Sequence, residues 1–403
     1  MRHLHHNSLV FGGVGDVIPD GTGRFLREGA RWSLQHKRAV GLIRVVIVLS
    51  AFAAAAAAQA PAELEVLHVR GNIYVLFGAG GNITMSVGPD GVLLVDSGAA
   101  NQADAVLAAI QQLQRQLDAT AARRPLGWGA ETRSSVVIER DPLAPPKPIR
   151  YIVNTHAHAD HFGGNEKLAA AGRTFTGGNV AGDIRDAAEG AAIIAHENVD
   201  TRMRTPPAGT PAAPLSAAPT ETYYGEGMRL SHYFNGEGIE LFHRPEAHTD
   251  GDTVVRFRGS EVIAAGDLYS TETYPVIDIA RGGNIQGVVD GLNRILDLSF
   301  PEFRTEGGTM IVPGHGRISD SADVAYYRDM VTIIRDRVQD MVKKGMTLEQ
   351  VRAAKPTADY DPRYGATTGS WTTDMFIEAV YRSLAPAVDR SLAPTAQSRG
   401  RTE

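Results

Sequence analysis

The segment NTHAHADHFGGN, residues 154–165, places His156, His158, Asp160 and His161 within six positions of one another. In extended backbone, residues 156, 158 and 160 project to one side, so two imidazoles and a carboxylate converge. Those are the groups a divalent ion such as zinc takes when thiolate is not on offer, and the chain contains no cysteine. One metal usually takes three or four protein ligands, which directs attention to the remaining histidines. Nine of the 13 lie beyond residue 58. His248 sits in EAHTDGD, a polar turn between two strand-like runs, Asp267 follows the run VIAAG, and His315 sits in MIVPGHG. Each stands at the end of an apolar strand or in the turn beside one, with glycine close by, where a rigid scaffold can present a side chain to a cleft. His68, His196, His232 and His243 lack that context and read as structural. Gly163 and Gly164 allow a tight turn and the close approach of other backbone.

The elements that must position these residues fall into two similar halves. From Leu64 the pattern is strand-like: VLHVRGNIYVLFG, then ITMSVG and VLLVDSG joined by the hairpin turn Pro89-Asp90-Gly91. Residues 101–117 repeat apolar side chains at helical spacing, 149–154 form a short buried strand directly ahead of the histidine segment, and 165–171 continue as helix. The second half runs strand 238–243, strand 253–258, strand 261–265, helix 287–298, strand 310–312 and a long amphipathic helix over 323–344, with one or two tail helices behind it. Strands then helix, twice, predicts an α/β protein with two sheets sandwiched between helical layers. Residues 123–148, with five prolines, and the Pro/Ala/Thr-rich 205–222 read as loop insertions.

With these residues in place, the chain resembles the metallo-β-lactamase superfamily over roughly residues 63–317. The resemblance implies a four-layer αβ/βα sandwich spanning 61–320, with the C-terminal helices (321–392) as an extension and 393–403 as a disordered tail. It implies that His156, His158 and His248 hold one Zn2+, that Asp160, His161 and His315 hold a second, and that Asp267 bridges them. Asp96 in VLLVDSG matches the family's early Asp, which supports the ligands from behind. Such an ion pair lowers the pKa of a shared water enough to supply a nucleophile near neutral pH, with Asp160 orienting it. No serine or cysteine nucleophile is needed, and Ser97 and Ser270 read as structural. Asp267 occupies the position at which one β-lactamase subclass carries cysteine, and Ser270 the position at which most of that subclass carries lysine. The bridging Asp instead resembles thioesterases and lactonases of the family. The expected activity is hydrolysis of a small ester, thioester, lactone or amide. The alternatives are β-lactam hydrolysis, an oxidoreductase with iron in the same ligands, and a metal-binding protein without catalysis; manganese is a further candidate ion. For substrate contacts the expectations are Tyr269, Tyr274 and Arg281, with Trp128 or the 205–222 stretch as an apolar wall.

Composition narrows the partners. The 403 residues are 43% hydrophobic and 21% charged, with net charge -6, which suits a globular fold and argues against nucleic acid. Residues 45–58, VVIVLSAFAAAAAA, follow Lys37, Arg38 and Arg44. That is the pattern of a secretory signal, too short for a comfortable membrane span of ~20 residues. Residues 1–60 are thus expected to be a leader and signal peptide, with cleavage after Ala58 or Ala60. The product would be a periplasmic or secreted chain without a stable membrane anchor, acting on a small molecule.

Overall fold

The computed structural model describes residues 64–123, 147–174, 190–300 and 307–385. The expected leader and signal, Trp128 with most of the 123–148 insertion, and the expected disordered tail lie outside the described residues.

The first half builds a seven-stranded sheet in chain order: β1 (Glu65–Arg70), β2 (Ile73–Phe77), β3 (Ile83–Gly88), β4 (Gly91–Val95), β5 (Ile149–Val153), β6 (Ala192–His196) and β7 (Glu221–Tyr223). β1 to β4 pair antiparallel, and β4 to β7 pair parallel. The second half builds a six-stranded sheet in the order β13-β12-β11-β10-β9-β8, from β8 (Gly227–Arg229), β9 (Ile239–Arg244), β10 (Asp252–Phe257), β11 (Val262–Ala264), β12 (Met310–Val312) and β13 (Ser319–Asp320). Only β11 and β12 run parallel there.

Side-chain alternation sorts the strands into layers. Leu93, Val95, Tyr151 and Val153 of the first sheet meet Leu241, Val255, Phe257 and Val262 of the second. Leu94, Ile152 and Ile193 face outward onto α1 (Ala103–Arg123) and α3 (Asn165–Ala170), through Val106, Ile110 and Leu168. Val254, Ile263 and Ile311 face outward on the other side, onto α5 (Ile285–Leu298) and α6 (Ser321–Lys343). The result is the four-layer αβ/βα sandwich. Two short helices serve the first sheet's upper edge, α2 (Ala159–Phe162) inside the histidine segment and α4 (Glu197–Arg204) after β6.

The expected C-terminal helices are present as α6, α7 (Leu348–Ala354), α8 (Asp361–Tyr364) and α9 (Thr373–Leu384), and they pack onto the sandwich. Val331, Ile334, Val351, Phe376 and Val380 are buried in the same cluster as α5, because their apolar stripes have only that surface to bury. The 205–222 stretch is largely exposed, but it is tied down at its end. Ala217 is buried, its carbonyl accepts from Asn165 Nδ2 at 2.9 Å, and Glu221–Tyr223 close the sheet as β7. Among the described residues, no helix is long and apolar enough to cross a membrane.

Candidate metal centre

The strand ends deliver the chemistry. β4 ends in Asp96, β5 ends in the histidine segment, the turn between β9 and β10 carries His248, and Asp267 and His315 follow β11 and β12. The structure brings these together as two groups that could hold metal ions: His156, His158, His248 and Asp267, and beside them Asp160, His161 and His315.

In the first group His158 Nδ1 lies 3.1 Å from His156 Nε2 and 3.0 Å from His248 Nε2. The outer ring nitrogens are engaged elsewhere. His156 Nδ1 is 3.0 Å from Thr155 Oγ1, whose own proton goes to Asp96, so the imidazole is the donor. His158 Nε2 donates to Asp278 Oδ2 at 3.0 Å, and His248 Nδ1 donates to the Val276 carbonyl at 2.7 Å. Three ring lone pairs therefore face one point with no hydrogen between them. Nitrogens held about 2.0–2.1 Å from one tetrahedral ion would stand roughly 3.3 Å apart, close to the spacing seen. Burial, reinforced by neighbouring imidazoles, keeps His156 well below the ordinary histidine range and brings His248 down to about 4. Both are thus neutral, as ligands must be.

In the second group His161 Nε2 lies 3.4 Å from His315 Nε2 and 3.7 Å from Asp160 Oδ2, and His315 Nε2 lies 3.2 Å from Asp160 Oδ2. His161 Nδ1 donates to Asp96 Oδ2 at 2.8 Å. Burial opposes a charge on His161, but Asp267 and Asp96 outweigh it and raise its pKa well above the ordinary value, so an ion bound there would displace the proton from Nε2. Burial likewise works against an ionised Asp160, yet His315 and His161 bring that carboxyl down to about 2.

Asp267 joins the two groups. Its Oδ2 is 3.8 Å from both His156 Nε2 and His248 Nε2, while its Oδ1 is 3.1 Å from His161 Nε2 and 3.5 Å from His315 Nε2. Oδ1 is buried with no well-directed hydrogen bond, only the ion-pair approach of His161 Nε2, a costly state for a carboxylate unless a cation satisfies it. This orphaned oxygen and the inward lone pairs fit a pair of divalent ions. Gly314 protects the arrangement, since a Cβ there would stand 1.9 Å from Oδ1.

Asp96 supports the centre from behind. It ends β4 at φ +66°, a left-handed conformation uncommon outside glycine. That turn lets its carboxylate accept the backbone N–H of Thr155 at 2.8 Å, the Thr155 hydroxyl at 2.7 Å and His161. Gly163 and Gly164 have helical φ rather than a left-handed turn, but the expected close approach is there: a Cβ on Gly164 would meet the Ser97 carbonyl at 2.3 Å. Ser97 itself donates to the His161 carbonyl and to Asn165, and Ser270 accepts from the Glu272 and Thr273 N–H groups.

A family model described as the metallo-beta-lactamase superfamily matches residues 76–315, the span that holds every one of these groups. The chain belongs to the metallo-beta-lactamase superfamily. Members of this superfamily are hydrolases. Among solved structures, a metallo-beta-lactamase from Pontibacter korlensis is 14% identical, with 67% of this chain and 99% of that one covered and a TM-score of 0.43. A stereoselective inverting sec-alkylsulfatase from a Pseudomonas species is 18% identical, with 79% of this chain and 50% of that one covered and a TM-score of 0.51. At these identities the likeness is one of fold. No curated protein matches.

The substrate expectations fare less well. Tyr274 is buried in the core, stacked on Phe376, with its hydroxyl donating to Asp361 Oδ1 at 2.8 Å and the Thr357 carbonyl at 3.2 Å. Tyr269 is buried edge-on to Tyr327. Neither can touch a substrate, because closeness in sequence to Asp267 put them on the far side of the strand end, under the C-terminal helices. Arg281 does lie beside the cluster, 3.3 Å from His158 Nε2, but its Nη1 donates to Asp278 Oδ2 at 2.5 Å. Sequence reasoning missed Asp278 altogether. Its only signal was an acid three positions ahead of an arginine in DIARGG.

Two cavities flank the centre. One of about 400 Å³ opens at His158, between residues 276–279 and the start of α9. The other, of about 590 Å³, opens at His315 and is rimmed by Glu65, Glu272 and Arg317.

Proposed function

We infer that the chain is an exported, dizinc hydrolase of a small carbonyl substrate, an ester, thioester, lactone or amide. The observation that carries this reading is Asp267, with one carboxylate oxygen toward each histidine group and Oδ1 buried without a well-directed hydrogen bond. On it, His156, His158, His248 and Asp267 would hold one ion, and Asp160, His161 and His315, with Asp267 shared, would hold the other. The ions would supply Lewis acidity and an acidified water near neutral pH. The protein's own residues supply placement. Asp160, partly exposed and kept ionised by His315 and His161, would orient the attacking water and take up its proton. Asp96, Asp278 and the Val276 carbonyl fix the imidazole tautomers, and Ser97 and Ser270 are both engaged in hydrogen bonds of the surrounding loops.

Hydrolysis of β-lactams is the second reading. Those drugs carry a carboxylate, and here Ser270 stands where a gripping lysine is expected while Arg281 Nη1 is committed to Asp278. Esters and lactones are therefore the preferred substrates. The test is elemental analysis of the protein lacking residues 1–58, with a parallel screen of a lactone, a thioester, a chromogenic cephalosporin and a secondary alkyl sulfate. Two zinc ions per chain, with turnover of the lactone or thioester lost along with one ion in Asp267→Ala, are expected. Iron or manganese, or unchanged metal and turnover in Asp267→Ala, overturns the dizinc reading. Export predicts a periplasmic chain that starts at Gln59 or Pro61 in mass spectrometry, and intact Met1 in the soluble fraction would sink it.

A further inference from the structure

The cavity at His158 has an unusual wall. Its far side comes from outside the family match: Trp371, just before α9, and Met375 and Ala379 on it. The near side is Val276, Ile277 and Ile279. Ile279 and Met375 are left 38% and 42% exposed, although both are large apolar side chains. The carboxylates that line the cavity are already neutralised. Asp278 accepts from His158 and Arg281, and Glu378 accepts from Arg352 at 2.6 Å and Arg382 at 2.5 Å. Trp371 keeps a buried indole N–H without an acceptor. Arg382 lines the cavity as well, and it is the partner of Glu378 there, so the charges in the lining are paired with one another or with neighbours. The volume of this cavity, about 400 Å³, is in the range of small-molecule sites, which are concave, mostly apolar and carry few polar groups.

We propose that this cavity binds an uncharged apolar group of the substrate, a medium-length acyl chain or an aryl ring, so that the C-terminal helix selects what the metal centre hydrolyses. The proposal rests on the hydrolase reading above for the word substrate, but the pocket itself can be tested without catalysis. His158 belongs both to the first histidine group and to the cavity lining. A substrate held at the cluster would therefore have to pass His158 to lay its chain against Ile279, Trp371 and Met375.

The probes are 2-decanone and 2-butanone, uncharged ketones that cannot be hydrolysed, titrated calorimetrically into the metal-loaded protein. 4-Nitrophenyl octanoate and acetate are compared in parallel. Each buried methylene should strengthen binding roughly threefold to fourfold, so 2-decanone should bind at least about 100-fold more tightly than 2-butanone. Met375→Asp and Trp371→Ala should each reduce that ratio, and the octanoate-to-acetate ratio of kcat/KM, about tenfold or more. Metal content and thermal midpoint check that each variant is folded. Equal affinity for the two ketones, or unchanged ratios in both variants, overturns the pocket. Esters cleaved without chain-length preference would leave the hydrolase reading standing and overturn this one. Ketone discrimination that depends on Trp371 and Met375, with no ester cleaved, would support the pocket and sink the hydrolase.

Discussion

Four of the imidazoles that face the centre are anchored through their other ring nitrogen: His156 to Thr155, His158 to Asp278, His161 to Asp96 and His248 to the Val276 carbonyl. Such partners orient a ligand and raise its basicity. Asp278 is the most exposed to test, since it holds His158 in place and is held in turn by Arg281. Asp278→Ala should weaken metal binding at the His158 group by roughly 10–100-fold, measured by competition with a chelator, with the Asp160–His161–His315 group less affected. Equal affinity in wild type and variant would remove Asp278 from the centre. The histidines were legible because imidazoles at strand ends beside glycines have few other uses. Asp278 was not, because it pairs with a histidine 120 positions away and nothing local announces it. Tyr274 was misread for the opposite reason. It is near Asp267 in sequence, but its hydroxyl is satisfied by residues 83 and 87 positions on.

Most strands and the long helices could be read from apolar period and turn chemistry, and the Pro89-Asp90-Gly91 hairpin between β3 and β4 is an instance. β6 could not, since AIIAH has the composition of a buried helix as much as of a strand. β7 has only three residues and owes its place to its neighbour. What ties these elements to the site is Asn165, fully buried at the start of α3. Its amide donates to Asn154 Oδ1 and the Ala217 carbonyl, and its Oδ1 accepts from Asn154 and Ser97. One side chain thus links the end of β5, the loop after β4 and the entry to β7. Asn165→Ala should cost roughly 2–4 kcal/mol, because several buried groups lose partners at once. Denaturant unfolding checks this, and a change under about 0.5 kcal/mol would mean that water replaces the amide.

At the scale of the whole molecule, the two sheets meet not only through their apolar layer but also through a pair of histidines. His196 at the end of β6 stacks on His243 of β9, with ring centroids 3.6 Å apart and an angle of 7°. Burial, then the neighbouring imidazole, pushes His196 down to about 4 and lowers His243 as well. Unfolded histidine titrates near 6.5, so between about pH 6.5 and 4 the unfolded chain binds more protons than the folded one. Stability is therefore fully present above about pH 6.5 and is lost as the pH falls toward 4. His196→Phe should flatten the fall of thermal midpoint over that window, relative to wild type at equal metal loading. Parallel slopes in the two proteins would assign the acid sensitivity to other groups.

The candidate ligands are divided between the sheets: His156, His158, Asp160 and His161 follow β5, whereas His248, Asp267 and His315 belong to the second half. Neither half offers either ion a complete set. A nascent chain thus has only a weak open chelate until residue 315 has been made and the sheets have met. A metal ion taken up there would bind after the folding transition, so its stabilisation would be missing from the transition state and would slow unfolding while leaving the folding rate alone. Such an ion would latch a closed seam, and its removal should show first as a shorter lifetime of the folded state.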